Sequence, residues 1–531
     1  MSKGRQHLSE GAATGDVVIV GGGPVGHRLA ERLRRHGHRG TVTLLHAEPV
    51  APYQRALLAS VLDGGLRPAA LRLPPVPGVR VLPGTTVTAV DRAGRRVRTA
   101  TSEQHRYDTL VLATGAEPFV PPVPGIRTAA GRLLDGVTTL RSLADCARVG
   151  GEQAVVLGGG PLGLETAAAL RRSGRDVTVV HRGPYPLDRR LDATAGDLLV
   201  RHLSGLGVRL ECGRSAVRVE PGKLVLDDGR PLAWDTLVCC TGVRPRAALA
   251  RAAGLAVRNG VLVDDGLRTG DPWIRAIGDC AEHPGWAPGL PAPGWDQAEV
   301  LARSLTGQEP GGRRAGTVLR LRLAGLPLGV LGAAPGSAGN TAERETVTFR
   351  DPARGRYATV TVDAAGRLAS AVVVGLPEAL AALTQLHDAH RPLPADRLSL
   401  LLGRAPAVRR APATSAEPSD VVCRCNDVSR GALARAWHDG ARTLRALSGA
   451  TRATTGCGGC ADEIRRLCAQ LAAEEPAPGR GPSTDEDEGA DDAHDATPHP
   501  GDRRLRHDRA PADRGAAVPG PGGRLAHSCP R

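Results

Sequence analysis

DVVIVGGGPVGHRLAERLRRHG, residues 16–37, and QAVVLGGGPLGLETAAALRRSG, residues 153–174, decide the fold of this chain. Each is a β-branched run, a glycine turn and a stretch with helical apolar spacing. Each leads into a second apolar run, TVTLLHAE at 41–48 and DVTVVHRG at 176–183. The parallel continues in YDTLVLATG at 107–115 and WDTLVCCTG at 234–242. One nucleotide-binding unit is therefore written twice in tandem. The pattern predicts an α/β chain with two Rossmann-like, three-layer dinucleotide-binding domains.

In the first copy Gly21, Gly23 and Gly26 follow a strand and open a helix, and Glu48 ends the next strand. The first glycine permits the tight turn. The second lets backbone approach a pyrophosphate, and the third lets helix pack on strand, while the helix N-terminus offers partial positive charge and the carboxylate a grip on a ribose diol. The second copy repeats the turn with Gly158, Gly160 and Gly163, but His181 and then Arg182 stand where an acid would end its second strand. That leaves NADH or NADPH open. Arg182 is either a contact for a 2′-phosphate or one more surface arginine. Two nucleotide sites in one chain imply a tightly held flavin and an exchanging nicotinamide.

A second constellation lies in VCRCNDVSRGALARAWHDG, residues 422–440, and TGCGGC, residues 455–460. Cys423 and Cys425 form one close pair, and Cys457 and Cys460 another. Four thiolates in two pairs suit tetrahedral zinc or a [2Fe–2S] cluster, and the one-residue gap of the first pair disfavours zinc. Gly456, Gly458 and Gly459 let amides approach the sulfurs. Of the eleven cysteines, Cys239, Cys240 and Cys468 read as small core residues, and Cys280 as packing or a redox sensor.

With 531 residues the chain is too long for one core. The expected divisions are a flexible N-terminus at 1–15 and an FAD-binding domain at 16–125 and 246–310, with an NAD(P)-binding domain at 126–245. A small α/β domain at 316–402, a linker at 403–420, a helical [2Fe–2S] module at 421–472 and a disordered tail at 474–531 complete the chain. Within the second FAD segment a helix is expected over 296–306. The tail combines the acidic run STDEDEGADD with a Pro/Gly/Arg tract, too little apolar surface to offset ordering entropy.

The net charge of +14 does not mark a nucleic-acid binder. Only Lys3 and Lys223 are lysines, the arginines are spread along the whole chain, and aromatics are 2%. Nucleic-acid readers cluster charge and interleave stacking rings. No apolar run approaches the ~20 residues a membrane span needs, so a cytoplasmic protein without membrane contact is expected.

Residues from about 16 to 310 resemble the FAD/NAD(P) pyridine-nucleotide oxidoreductase family, through both glycine turns, ATG at 113–115, TGVRP at 241–245 and AIGDCAE at 276–282. The resemblance implies that Asp279 lies along the ribityl chain of FAD. It also implies that Arg55, Thr114 and Gly115 belong to the flavin site and Gly242 to the NAD(P) site. Disulfide reductases of the family carry a CxxxxC pair after the first ribose acid. Here that stretch is PYQRALLASVLDG, with no cysteine before Cys146, so dithiol chemistry is not expected there.

The module from 421 resembles the bacterioferritin-associated-ferredoxin-like (BFD-like) [2Fe–2S] domain. VGHRLAERL, PYQRALLASVL and RRLDATAGDLL extend the resemblance to the N-terminal half of NAD(P)H nitrite reductase large subunits and to assimilatory nitrate reductase electron-transfer subunits. This implies hydride transfer from a nicotinamide, NADH favoured, to FAD, with single electrons leaving through the cluster and no obligatory acid–base residue. Such nitrite reductases continue into a sirohaem and [4Fe–4S] module with four more cysteines, whereas only Cys468 and Cys529 follow Cys460. The expected partner is therefore a terminal nitrate or nitrite reductase on another chain. A reductase for a rubredoxin, ferredoxin or monooxygenase, or a ferritin-docking iron-release reductase, is the alternative.

Overall fold

Both glycine-turn units build five-stranded parallel sheets with the glycine-turn strand at the centre. The computed structural model describes residues 14–283, 289, 291–309, 318–332, 344–404, 418, 420–423, 428–454 and 460–474. Residues 1–13, most of the expected linker, Cys425, Cys457, the three glycines around Cys457 and everything beyond Glu474 lie outside the described residues.

In the first sheet the strand order is Ile274–Ala276, Thr109–Leu112, Val17–Val20, Val42–His46, Val79–Pro83, all parallel. Side chains alternate across a strand. Val17 and Ile19 accordingly pack with Leu29, Leu33 and Leu301 on one face, and Val18 and Val20 with Leu110, Leu112 and Ile274 on the other. Burial on both faces is why the run VVIV carries no polar residue.

The second sheet has the order Val208–Cys212, Asp176–His181, Gln153–Leu157, Thr236–Cys239, Val137–Thr139, again all parallel. The two sheets differ in where the edge strand originates. The first is completed from residues 274–276, after the second unit, and the second from residues 137–139, before its own glycine turn.

The helix expected at 296–306 runs Pro291–Leu305. Pro291, Pro293 and Gly294 disguise its first turn as a loop, yet proline is at home in a first turn, where its missing N–H has no intrahelical acceptor.

Residues 318–332 and 344–404 form a five-stranded antiparallel sheet with the helix Pro377–Asp388. Val373 and Leu331 face Leu380 and Leu383 of that helix, while Val372, Val374 and Val330 face Leu198, Leu199 and Leu203 of the second nucleotide domain. Asp192 fastens this contact. It caps the helix Ala193–Gly205 by accepting from the Ala195 amide at 2.9 Å, and its other oxygen accepts from the Tyr357 hydroxyl at 2.6 Å.

The cysteine module pairs Val421–Cys423 with Val428–Ser429, followed by helices Arg430–His438, Leu444–Thr451 and Ala461–Glu474. Ser429 and Thr443 cap the first two of these helices. No helix among the described residues is long and apolar enough to cross a membrane.

Replacing Asp192 by alanine removes a helix cap and the acceptor of the Tyr357 hydroxyl, an expected loss of roughly 2 kcal/mol. Tyr357→Phe leaves the cap in place and should cost about half as much. Urea unfolding followed by circular dichroism measures both. Equal midpoints for Asp192→Ala and wild type would contradict the role given to this carboxylate.

Candidate functional site

The geometry of each turn follows from which glycine atoms touch. A Cβ on Gly21, at φ +122°, would lie 2.1 Å from the Ala113 carbonyl oxygen, and one on Gly26 would lie 2.0 Å from the Gly21 carbonyl oxygen. Neither position admits a side chain. At Gly23, by contrast, a Cβ would meet only the Arg55 Nε, at 3.8 Å. Gly23 precedes the helix Pro24–Arg35, and no side chain caps that helix. The first turn thus presents amides and an open approach, the arrangement a pyrophosphate requires.

Around it stands a connected polar chain. Glu48 forms an ion pair with Arg55 and accepts from the Tyr53 hydroxyl at 2.7 Å. Arg55 also donates to the Arg141 carbonyl at 2.9 Å, and Arg141 donates to Asp279 at 2.7 Å. Burial would push the Glu48 carboxyl up. The Arg55 charge and the hydrogen bonds from Tyr53 and Arg55 outweigh it and hold the group below the usual carboxylate range. Asp279 is brought to the first turn by its own neighbour, since a Cβ on Gly278 would touch Val25 at 3.4 Å and the Gly278 amide donates to Gln297 at 2.6 Å.

Gly21, Gly23, Gly26, Glu48, Arg55 and Asp279 therefore meet in one place, with the elements to hold a dinucleotide: open amides, a charged carboxylate and a second carboxylate. Tyr53 and Arg141 were not singled out from sequence. Tyr53 stood in plain view beside Arg55 in PYQR, whereas nothing local marks Arg141, 138 residues from its partner.

Thr114 has a different task. Its hydroxyl donates to the Arg246 carbonyl at 2.7 Å, and the Arg246 amide donates to Gly115 at 2.9 Å. The second copy mirrors this, with the Thr241 hydroxyl on the Phe119 carbonyl at 2.6 Å and the Phe119 amide on Gly242 at 2.9 Å. Between them Ala116–Pro118 pairs with Val243–Pro245, the ribbon joining the nucleotide units. Gly115 and Gly242 both have positive φ and open space about the missing Cβ.

In the second turn a Cβ on Gly158 would lie 2.4 Å from the Cys240 carbonyl oxygen and one on Gly163 1.9 Å from the Gly158 carbonyl oxygen. Gly160 has nothing within 4 Å. His181, in the acid's place, is fixed: its Nδ1 accepts from the Gly159 amide at 3.2 Å, and its Nε2–H donates to Asp188 at 3.2 Å. Arg182 beside it is exposed.

Cys239, Cys240 and Cys280 are buried. Burial pushes Cys239 and Cys240 up to about 12 and raises Cys280 as well. In the cysteine module, Cys423 and Cys460 are both buried in a single core with Leu433, Trp437, Leu447 and Ile464. Two of the four proposed ligands thus converge from distant points of the chain, and their thiol chemistry fits a cluster. Cys425 and Cys457 lie outside the described residues.

A family model described as pyridine nucleotide-disulphide oxidoreductase matches residues 15–300, and one described as BFD-like [2Fe-2S] binding domain matches residues 421–470. The nitrite reductase [NAD(P)H] large subunit of Klebsiella oxytoca is 34% identical over 480 residues, 86% of this chain and 49% of that protein. The assimilatory nitrate reductase electron transfer subunit of Bacillus subtilis is 30% identical over 484 residues, 85% of this chain and 59% of that protein. The chain spans about half the length of the first relative and little more of the second. Among solved structures, a covalent putidaredoxin reductase–putidaredoxin complex aligns with TM-score 0.66 and 26% identity, over 75% of this chain and 99% of that one. These matches give the cofactor set as FAD, NAD(P)H and a [2Fe–2S] cluster.

The two turns separate in a pair of substitutions. Gly26→Ala drives a methyl into the Gly21 carbonyl and should lower flavin content, read as absorbance at 450 nm per chain, by at least about tenfold. Gly160→Ala meets no protein atom, so flavin should stay bound while KM for NADH rises about tenfold. An unchanged KM would remove Gly160 from the nicotinamide site.

Proposed function

The chain belongs to the pyridine nucleotide-disulphide oxidoreductase family, and we propose that it carries electrons from NADH to a terminal nitrate or nitrite reductase on another polypeptide. The observation that supports this most is the cysteine module, which follows two nucleotide-binding units in the same chain and contacts the first of them. The Bacillus subtilis relative, itself named as an electron transfer subunit, points the same way. Despite the family's name, a dithiol mechanism has no cysteine to use before Cys146.

In this reading Gly21, Gly23 and Gly26 receive the FAD pyrophosphate, Glu48 the ribose and Asp279 the ribityl chain. Arg55 and Arg141 act on these carboxylates: they fix the orientation of each, and Arg55 also keeps Glu48 charged. Thr114 and Gly115 brace the junction from which the isoalloxazine site is built, and Gly242 does so from the nicotinamide side. Gly158, Gly160 and Gly163 receive NADH, and His181 and Arg182 face its adenosine end. Cys423, Cys425, Cys457 and Cys460 hold the cluster. When bound, FAD supplies the exchange between a two-electron hydride donor and a one-electron acceptor. The protein's share is positioning, charge and exclusion of water. The proposed compartment is the cytoplasm.

Relatives named as a probable ferredoxin reductase and a rubredoxin-NAD(+) reductase favour one second reading, in which the acceptor is a small ferredoxin or rubredoxin.

Two measurements test what both readings share, and a third separates them. Cys457→Ser should lower reduction of a protein acceptor by at least about a hundredfold and leave NADH-driven ferricyanide reduction within about twofold. Equal loss of both, with FAD retained, would show that the cluster does not follow the flavin. Wild type should prefer NADH in kcat/KM. A preference for NADPH that Arg182→Ala erases would make Arg182 a phosphate contact. Mixing the chain with a nitrate reductase catalytic subunit should switch on NADH-dependent nitrite formation. Turnover with a ferredoxin or rubredoxin and none with the nitrate enzyme would favour the second reading.

A further inference from the structure

Arg452 occupies a position that neither the glycine turns nor the cysteines account for. It ends the helix Leu444–Thr451 in the left-handed region, at φ +64°, with its amide on the Ser448 carbonyl at 2.8 Å. That conformation is strained for a side chain other than glycine or asparagine. From it the guanidinium leaves its own module and reaches the flavin domain, donating to the Arg72 carbonyl at 3.1 Å and the Leu71 carbonyl at 3.4 Å.

The segment it grips is part of the flavin site. The Leu71 carbonyl also accepts from the Gln54 amide at 2.8 Å, and the Leu73 amide donates to the Pro52 carbonyl at 2.8 Å. Residues 71–73 therefore pair with residues 52–54, which lead directly into Arg55. One residue further on, the Pro74 carbonyl accepts from the His27 Nε2–H at 2.7 Å, and His27 immediately follows Gly26. The guanidinium is largely desolvated and its charge acts on Cys423, and Ala453, the next residue along, is buried in the same core as that thiol.

We propose that Arg452 is a positioning residue that seats the cysteine module on the 71–74 segment of the flavin domain and holds a fixed positive charge beside Cys423. The proposal rests on electrons passing from the flavin to the module, but not on the identity of the final acceptor. Arginine suits both tasks, because its charge does not titrate in the working range and its long side chain brings one nitrogen, Nη1, to both carbonyls. A cation near the thiolates favours the more negative, reduced form of the cluster, so removing it lowers the reduction potential. Seating on residues 71–74 places the module against the segment that carries Tyr53 and Arg55.

The test compares Arg452→Gln, which is shorter and uncharged but keeps an amide donor, with Arg452→Lys, which keeps the charge on a shorter stem, and with Arg452→Ala. Redox titration of the cluster signal by electron paramagnetic resonance should show its reduction equilibrium about tenfold less favourable in Arg452→Gln and Arg452→Ala, about 59 mV for one electron. Arg452→Lys should stay near wild type. Hydrogen exchange of residues 68–74 should accelerate about tenfold in all three variants as the seat is lost. NADH-driven ferricyanide reduction should be unchanged, which keeps this result apart from any failure of the flavin assignment. If Arg452→Ala loses its cluster, the Gln and Lys variants decide. An unchanged potential in Arg452→Gln, or unchanged exchange at residues 68–74, overturns the proposal.

Discussion

Everything in the two nucleotide domains depends on one backbone contact, the approach of Gly26 to the Gly21 carbonyl and its repeat between Gly163 and Gly158. A Cβ there would sit 2.0 Å and 1.9 Å from the oxygen. Only with hydrogen at that position can the helix descend onto its strand. The descent brings the helix N-terminus to the mouth of the turn and leaves Gly23 and Gly160 facing open space. The same contact sets the height at which the Gly278–Asp279 loop meets Val25, so the second carboxylate arrives where the first turn needs it.

Arginine does much of the remaining work. From sequence, the many arginines read as a bias of composition, and the exposed ones fit that reading. A subset is half-buried and bonded to carbonyl oxygens or paired with acids that matter. Arg55 serves Glu48, Tyr53 and the Arg141 carbonyl, and Arg141 serves Asp279. Arg322 of the antiparallel domain meets Glu165 of the second glycine-turn helix through its amide at 3.0 Å and also bonds the Ala56 carbonyl. Such guanidiniums are weakly hydrated for ions and carry five donors, so they can join three segments at once where lysine would join one.

What the sequence revealed and what it hid divide along a physical line. The strands, the turns and the Glu48–Arg55 pair are local in sequence, and local patterns carry them. The edge strands Val137–Thr139 and Ile274–Ala276 are three residues long and gain their place only from a sheet already built. Arg141 and Arg452 act across 138 and more than 370 residues, and no periodicity announces them. The stretches VGHR and RRLD stood out in sequence only by resemblance. In the structure His27 bonds the Pro74 carbonyl, in the segment that seats the cysteine module, and Asp192 bonds Tyr357 of the antiparallel domain. His27 thus ties the first glycine-turn helix to the 71–74 segment, and Asp192 ties the second nucleotide domain to the antiparallel sheet.

The account turns on a flavin and an iron–sulfur cluster sharing one chain in that order. Anaerobic addition of NADH to the purified protein, followed together by absorbance at 450 nm and by electron paramagnetic resonance, addresses it most directly. The account predicts a bleached flavin and a rhombic [2Fe–2S] signal from the same sample. A protein that bleaches but gives no cluster signal and carries zinc on its cysteines would contradict it.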